Sequence, residues 1–470
     1  MSRGRLLLLR HRAADRLALP LALLLPLATA CGGTDAGSSS DGKTVTVTVG
    51  YQSKTINTVT AGTLLRALGY FEEELANRGR EDGLTYRVVW QDYATGAPIT
   101  AQMTAGKIDI GSMGDFPLLI NAARGKQLKE PTRLVSVTGY NLRGGLNTVV
   151  TALGSPLRSL ADLKGRKVST SVGSAADGTL VRALRRAGFD PATDVQKLNQ
   201  QPSVGASALA AGSVDALSQF VAWPGLLAFQ GKATALYDGA ELNLPTFHGV
   251  TVREEFAQRR PAVLDAFLRA QNRATDHLRK QPVAAAESVA KETGLPAEVV
   301  YLYNGAQGIA TFDPALRPEL IAALKEDVPV LKEAGLVTDV DVDAFVDAAP
   351  LRRAVPDLAY PKAADPKTAE HAADPRAAGP KSELWLKGQN SVRTFDSPGA
   401  LLKAVKGAAV RAAYVPDAAT GTLWFADRAV WVVDGTTWRA FVTRSGAERY
   451  LSGHAGARIV PYADAVRLAS

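Results

Sequence analysis

The 470-residue chain contains a single cysteine, Cys31, which excludes an intramolecular disulfide and a cysteine-based zinc site. Histidine is nearly as scarce, with five in all. Within the long central block only His248 and His277 occur, and neither stands in a spacing that suggests a Ser/His/Asp triad. No phosphate-cradling Walker loop, internal repeat or heptad run is present. After residue 30 there is no run of 18 apolar residues, so no later segment is apolar enough to span a bilayer as a helix. Charge of one sign is also missing where it would matter. The net charge is +8, yet residues 31–350 sum to −2, while residues 1–30, 351–381 and 382–470 carry +4, +2 and +4. The basic excess therefore sits at the ends and gives no argument for a nucleic-acid partner. What the chain does have is 46% hydrophobic residues over more than one typical domain length, which excludes disorder throughout.

The amino terminus has the pattern of an export signal. Arg3, Arg5, Arg10, Arg12 and Arg16 precede an apolar run from Leu17 to Ala30 that ends in small residues and is too short to cross a bilayer stably. Leu27-Ala28-Thr29-Ala30-Cys31 resembles a bacterial lipobox, in which the cysteine becomes the lipidated first residue. Residues 1–30 are thus expected to be a lipoprotein signal peptide and Cys31 the membrane anchor. The Gly/Ser-rich residues 31–43 are expected to form a flexible tether.

From residue 44 short β-branched strands alternate with amphipathic helices, beginning with Thr44-Val45-Thr46-Val47-Thr48-Val49. This alternation predicts an α/β architecture with mostly parallel sheets. Residues 254–348 are helical in pattern, with Phe256, Val263, Phe267, Ala270 and Ala274 on one face, and are expected to cover the first lobe. Residues 351–381, with Pro356, Pro361, Pro366, Pro375 and Pro380, form a Pro/Ala-rich linker. Beyond it, Trp385, Trp424, Trp431 and Trp438 supply aromatic area for a small core of its own.

Open α/β sheets bind ligands at the carboxyl ends of their strands, and four loops have the composition for it. They are Gly50-Tyr51-Gln52-Ser53, the Asp92–Pro98 loop with Thr95, Gly111-Ser112-Met113-Gly114-Asp115, and Ser169-Thr170-Ser171-Val172-Gly173-Ser174. The backbone amides of the last would suit an anion. Three segments then carry a resemblance: Ala105-Gly106-Lys107-Ile108-Asp109-Ile110-Gly111 with Met113-Gly114-Asp115, Leu160 to Val168, and Ala211-Gly212-Ser213-Val214-Asp215-Ala216. Together they resemble the substrate-binding proteins of ABC importers for nitrate, taurine and aliphatic sulfonates, over about residues 44–350.

The resemblance implies a type II periplasmic binding protein fold with two lobes and a hinge. Lobe 1 would comprise about 44–138 and 252–350, and lobe 2 about 139–251, with crossovers near Thr138 to Gly144 and Thr246 to Thr251. It implies a small anionic solute, such as an aliphatic sulfonate, nitrate or taurine, held in the cleft for delivery to ABC permease and ATPase subunits. It implies no cofactor and no covalent chemistry. The residues expected to line the cleft are Gln52, Thr95, Gly114, Asp115, Tyr140, Ser171, Gly173, Ser174 and Trp223. Several have a second reading. Asp115 could cap a helix or meet a ligand amino group, Gly173 and Ser174 could shape a turn or hold an anion, and Trp223 could be core or cleft wall. Tyr140 lies at the hinge, and His248 reads as a buried hinge-strand histidine. An enzyme of the related pyrimidine-precursor synthase group is set aside for want of a well-placed His and Cys. The chain is expected to be a monomer on the extracytoplasmic face of the membrane.

A second resemblance covers about 384–470. Val392-Arg393-Thr394-Phe395, Ala413-Tyr414-Val415-Pro416-Asp417, Trp424 to Val433 and Ala440-Phe441-Val442 resemble, in order, the NosL family of copper accessory lipoproteins, with a small α+β fold. A copper-handling role through this domain is the alternative function. However, the segment has no Cys or Met and only His454, a poor set for Cu(I), so docking or packing is the plainer expectation and no metal ligands are assigned.

Overall fold

The computed structural model describes residues 43–359 and 380–469. The expected signal, tether and lipidation site at Cys31 lie outside the described residues, as does most of the linker. No helix among the described residues is long and apolar enough to cross a membrane.

Two sheets organise residues 44–359. The strands are β1 (Thr44–Tyr51), β2 (Thr85–Asp92), β3 (Ile110–Gly114), β4 (Thr132–Asn141), β5 (Asn147–Ala152), β6 (Lys167–Thr170), β7 (Gln196–Asn199), β8 (Ala216–Phe220), β9 (Ala233–Asp238), β10 (Thr246–Arg253) and β11 (Thr311–Phe312). The lobe 1 sheet has the order β11-β4-β10-β3-β1-β2, and the lobe 2 sheet β7-β6-β8-β5-β9. The chain leaves lobe 1 after β4 and returns through β10. That return dictates direction: β10 runs antiparallel to both β3 and β4, and β5 antiparallel to β8 and β9. The sheets are therefore mixed, where strand and helix alternation alone predicts mostly parallel ones. Only β1 with β2 and β3, and β6 with β7 and β8, are parallel pairs.

The cover of lobe 1 forms because its apolar positions recur at helical spacing. In helix Pro261–Lys280, Val263, Phe267, Ala270 and Ala274 are all buried with Val47, Val49 and Phe71. Phe71 meets Phe267 edge to face at 5.2 Å between ring centroids. The cover does not stop at Pro350. Helix Ala349–Ala354 buries Leu351 and Ala354 in the same cluster, so the start of the expected linker belongs to lobe 1.

The carboxy-terminal region folds as two small sheets. The strands β12 (Ser382–Leu386), β13 (Val392–Phe395), β14 (Val410–Pro416) and β15 (Leu423–Phe425) have the order β13-β12-β14-β15. The strands β16 (Val430–Asp434), β17 (Thr437–Phe441) and β18 (Arg458–Val460) have the order β17-β16-β18. Leu384, Leu401, Leu402, Trp431 and Val460 make a local core. Trp385, Tyr414, Trp424 and Phe425 do something else: they join one cluster with Ile56, Val221, Tyr301 and Tyr303 of the two lobes.

This domain is docked on both lobes. On lobe 1, Tyr301 packs on Trp385 and Tyr414 at 5.4 and 5.5 Å. Arg411 pairs with Glu298 at 2.7 Å and Glu287 at 2.8 Å, and stacks over the Trp385 ring at 3.8 Å. On lobe 2, Phe425 meets Phe229 at 5.4 Å, Arg449 pairs with Glu241 at 2.9 Å, and the Thr420 hydroxyl donates to Asp238 Oδ2 at 2.7 Å.

Asp238 is 1% exposed. Burial pushes its carboxyl up to about 6, and the neighbouring Asp417 carboxylate adds to the shift. A folded-state pKa above the unfolded value means that the native protein holds the extra proton between roughly pH 4 and 6. The contribution of this group to stability is therefore greatest at low pH and falls as pH rises through that window. Asp238→Asn removes the ionisation while keeping a partner for the Thr420 hydroxyl. We expect it to be more stable than the parent at pH 8 by on the order of 2 kcal/mol, with a flatter stability profile between pH 4 and 6, measured by denaturant titration. Equal or lower stability at pH 8 would show that the lobe 2 dock needs the carboxylate.

Candidate functional site

A cavity of about 300 Å³ lies between the lobes. Lobe 1 supplies Gln52 at the end of β1, Thr95 to Pro98 and Thr100 after β2, Gly114 at the end of β3, and Pro117 and Ile120 from helix Asp115–Leu128. Lobe 2 supplies Ser171 to Ala175 after β6, Asn199 to Gln201 after β7, and Phe220 at the end of β8. His248, on the return strand β10, completes the wall. Every contributing loop but the last follows a strand's carboxyl end, as expected of an α/β cleft. The lining divides by chemistry. Pro98, Pro117, Ile120 and Phe220 are apolar, while Gln52, Thr95, Ser171, Ser174, Asn199, Gln200, Gln201 and His248 are polar. No Lys, Arg, Asp or Glu is among the lining residues.

Of the nine residues named from sequence, six border the cavity: Gln52, Thr95, Gly114, Ser171, Gly173 and Ser174. The other three do not. Asp115 is 1% exposed, and its carboxylate accepts the amides of Phe116 at 2.8 Å and Phe247 at 3.3 Å, tying the start of a helix to β10. Tyr140 is core in lobe 1, where β4 pairs it with Phe247 and Thr311 and the Arg317 guanidinium sits 5.6 Å from its ring. Trp223 opens helix Trp223–Phe229 and packs, half-buried, against the lobe 2 cluster that includes Val150, Leu217 and Leu227, so Phe220 provides the aromatic wall instead. Asn199 to Gln201 are not among the residues expected from sequence, although they run from the last residue of β7 to a helix opening on Pro202, the same strand-to-helix signal as the other loops.

The anion cradle expected at residues 169–174 is partly spent on its own fold. Gly173 has φ +79°, a left-handed turn suited to glycine, and its amide donates to Asp177 Oδ2 at 3.1 Å. Val172 N donates to Asn199 Oδ1 and Ser174 N to Ser171 O. Asp177 is in turn paired with Lys197 at 3.1 Å. Among the described residues, no partner meets the amides of Ala175 and Ala176, at the start of helix Ala175–Arg186, or those of Gly96 and Ala97, at the start of helix Gly96–Thr104. One helix belongs to each lobe, and both present their positive ends to the cavity.

The lobes touch at a seam beside the cavity. Phe116 of lobe 1 lies so close to Gly178 of lobe 2 that a Cβ there would sit 2.1 Å from the ring. Next to it, Arg182 pairs with Asp327 at 2.7 Å and also donates to Glu326 O at 2.7 Å, with the Arg185–Glu333 pair further out. Burial pushes Asp115 up to about 6 and raises Asp327 as well, where the Asp115 carboxylate adds to the effect; Arg182 opposes both.

Residues 79–285 match the family model described as NMT1/THI5 like. An Escherichia coli (strain K12) protein named as aliphatic sulfonates-binding is 29% identical over 251 residues, 53% of this chain and 76% of that protein. The taurine-binding periplasmic protein of the same organism is 27% identical over 191 residues, 40% of this chain and 56% of that protein. The crystal structure of the periplasmic aliphatic sulphonate binding protein SsuA from Escherichia coli superposes with a TM-score of 0.52 at 26% identity, covering 64% of this chain and 96% of that one. The two lobes thus have the periplasmic binding protein fold.

Gly178 offers a direct handle on the seam. Gly178→Ala must push Phe116 away, which should cost about 1–3 kcal/mol of stability and hold the lobes apart. Ligand affinity is expected to fall roughly tenfold or more, about 1.4 kcal/mol, by calorimetry. Adding Phe116→Ala should restore most of that affinity, because the space conflict is gone. Unchanged affinity in Gly178→Ala would mean that the seam does not control closure.

Proposed function

We propose that this chain, NMT1/THI5-like over residues 79–285, is the extracytoplasmic solute-binding component of an ABC importer. It captures a small anion with an apolar stem, an aliphatic sulfonate or a close relative such as taurine, and hands it to a membrane permease and its ATPase. The observation that carries this reading is the cavity itself. Its polar groups come from both lobes and include two unpaired helix starts, so a ligand placed there would contact both halves and favour their contact. Two helix amino termini and neutral hydroxyl, amide and imidazole donors suit an anion without a lining cation. Pro98, Pro117, Ile120 and Phe220 give an alkyl stem a surface to bury against. The names of the relatives point to the same ligand class. Binding followed by release is sufficient for the role. Lipid attachment at Cys31 would keep the protein beside its permease, and a monomer suffices for delivery.

Thermal unfolding with a panel of alkanesulfonates, taurine, nitrate and bicarbonate tests the proposal. A cleft ligand at a hundredfold its dissociation constant should add about 2.7 kcal/mol of stability. No shift with any of these anions would sink it.

A further inference from the structure

His248 is 4% exposed, yet its ring forms part of the cavity wall. Its surroundings decide which nitrogen carries the proton. The Asn57 side-chain amide donates from Nδ2 to Gly139 O at 3.3 Å, which fixes the orientation of the amide, and the same Nδ2 lies 2.7 Å from His248 Nδ1. A donor facing Nδ1 makes that nitrogen the acceptor, so the proton of a neutral ring resides on Nε2. Burial lowers the imidazole pKa to about 3, which keeps the ring neutral across the physiological range. Nε2 has no partner among the described residues. It is also left uncovered by design of the neighbouring backbone: β3 pairs Gly114 with His248, and a Cβ on Gly114 would lie 3.1 Å from both Cε1 and Nε2.

Resting on the solute-binding reading above, we propose that His248 is a ligand-binding residue. It is a neutral imidazole, set by Asn57 in the Nε2–H form, and it donates one directed hydrogen bond to an ionised oxygen of the bound sulfonate. The residue stands on the return strand between the lobes, so it completes from the hinge side a set of donors that the two helix starts supply from either lobe. A donor-only nitrogen selects for an oxygen bearing lone pairs and against an ammonium group at the same place. Asp115, whose carboxylate accepts the amide of Phe247 next to His248, is the titratable group bordering it, with Arg182 and Asp327 beyond at the seam.

Two measurements on the purified protein test this. Imidazole nitrogen NMR, with the His248 signals assigned by their loss in His248→Gln, should show the Nε2–H form from pH 5.5 to 8, with Nε2 shifting when 1-propanesulfonate is added. Calorimetry with the same sulfonate should show at least tenfold weaker binding in His248→Phe, and a smaller loss in His248→Gln, which keeps a donor. Circular dichroism confirms that each variant is folded. An Nδ1–H ring, an Nε2 signal indifferent to a sulfonate that binds, or undiminished affinity in folded His248→Phe would each overturn the inference. If the parent protein binds no anion of the panel above, the solute-binding reading itself fails, and the NMR experiment on the free protein still decides the tautomer.

Discussion

The binding cavity exists because two lobes meet where one side chain is missing. Phe116 can lie on helix Ala175–Arg186 only because residue 178 is glycine, and Arg182 pairs with Asp327 beside that contact. A close-packed contact of this kind behaves as a stop: it is either made or broken, since interiors resist intermediate separations. The ion pair at the seam is a weak adhesive by itself, because burial raises the Asp327 carboxyl and the nearby Asp115 carboxylate raises it further, against the pull of Arg182. On the proposed solute-binding role, a ligand's contacts to both lobes would favour the state in which this seam is made.

The carboxy-terminal domain imposes a second constraint. It is not a bead on a linker, since Trp385, Tyr414, Trp424 and Phe425 share a hydrophobic cluster with Tyr301 and Tyr303. Its contacts reach Glu287 and Glu298 on one lobe and Asp238 and Glu241 on the other. Any change in the angle between the lobes must therefore be accommodated at this dock. A cavity of about 480 Å³ lies at this dock, between Asn141 to Arg143, Gln307 to Ile309 and the loop Pro416 to Leu423. The NosL-like resemblance of this domain rests on its sequence order alone. Its one histidine, His454, stacks on Tyr450 at 3.7 Å with Nδ1 2.8 Å from Tyr450 O.

Much of this was legible in the sequence, for physical reasons. Period-two β-branched runs and helical spacing mark the strands and helices, and the rule that ligands meet strand carboxyl ends picks loops, which is why Gln52, Thr95, Gly114, Ser171, Gly173 and Ser174 reach the cavity. Side-chain direction is another matter, since it depends on register that a linear pattern does not encode. Tyr140 turns inward because β4 pairs it with Phe247, and Trp223 is carried past the cleft when the chain turns into a helix after Phe220. His248 illustrates the converse: reading it as buried in a hinge strand agrees with its 4% exposure, but burial alone does not reveal that one edge faces a cavity. The aromatic wealth of the last ninety residues likewise signals a core without saying whose core it is. Trp431 serves the domain itself, whereas Trp385 and Trp424 serve the dock.

The most direct measurement is a crystal structure of the protein with 1-propanesulfonate. The account expects the sulfonate between the lobes, with its oxygens about 3 Å from His248 Nε2 and from the amides that open helix Ala175–Arg186, and the propyl chain against Pro117 and Phe220. A sulfonate lodged instead at the carboxy-terminal dock, or a cleft left empty at saturating ligand, would contradict it.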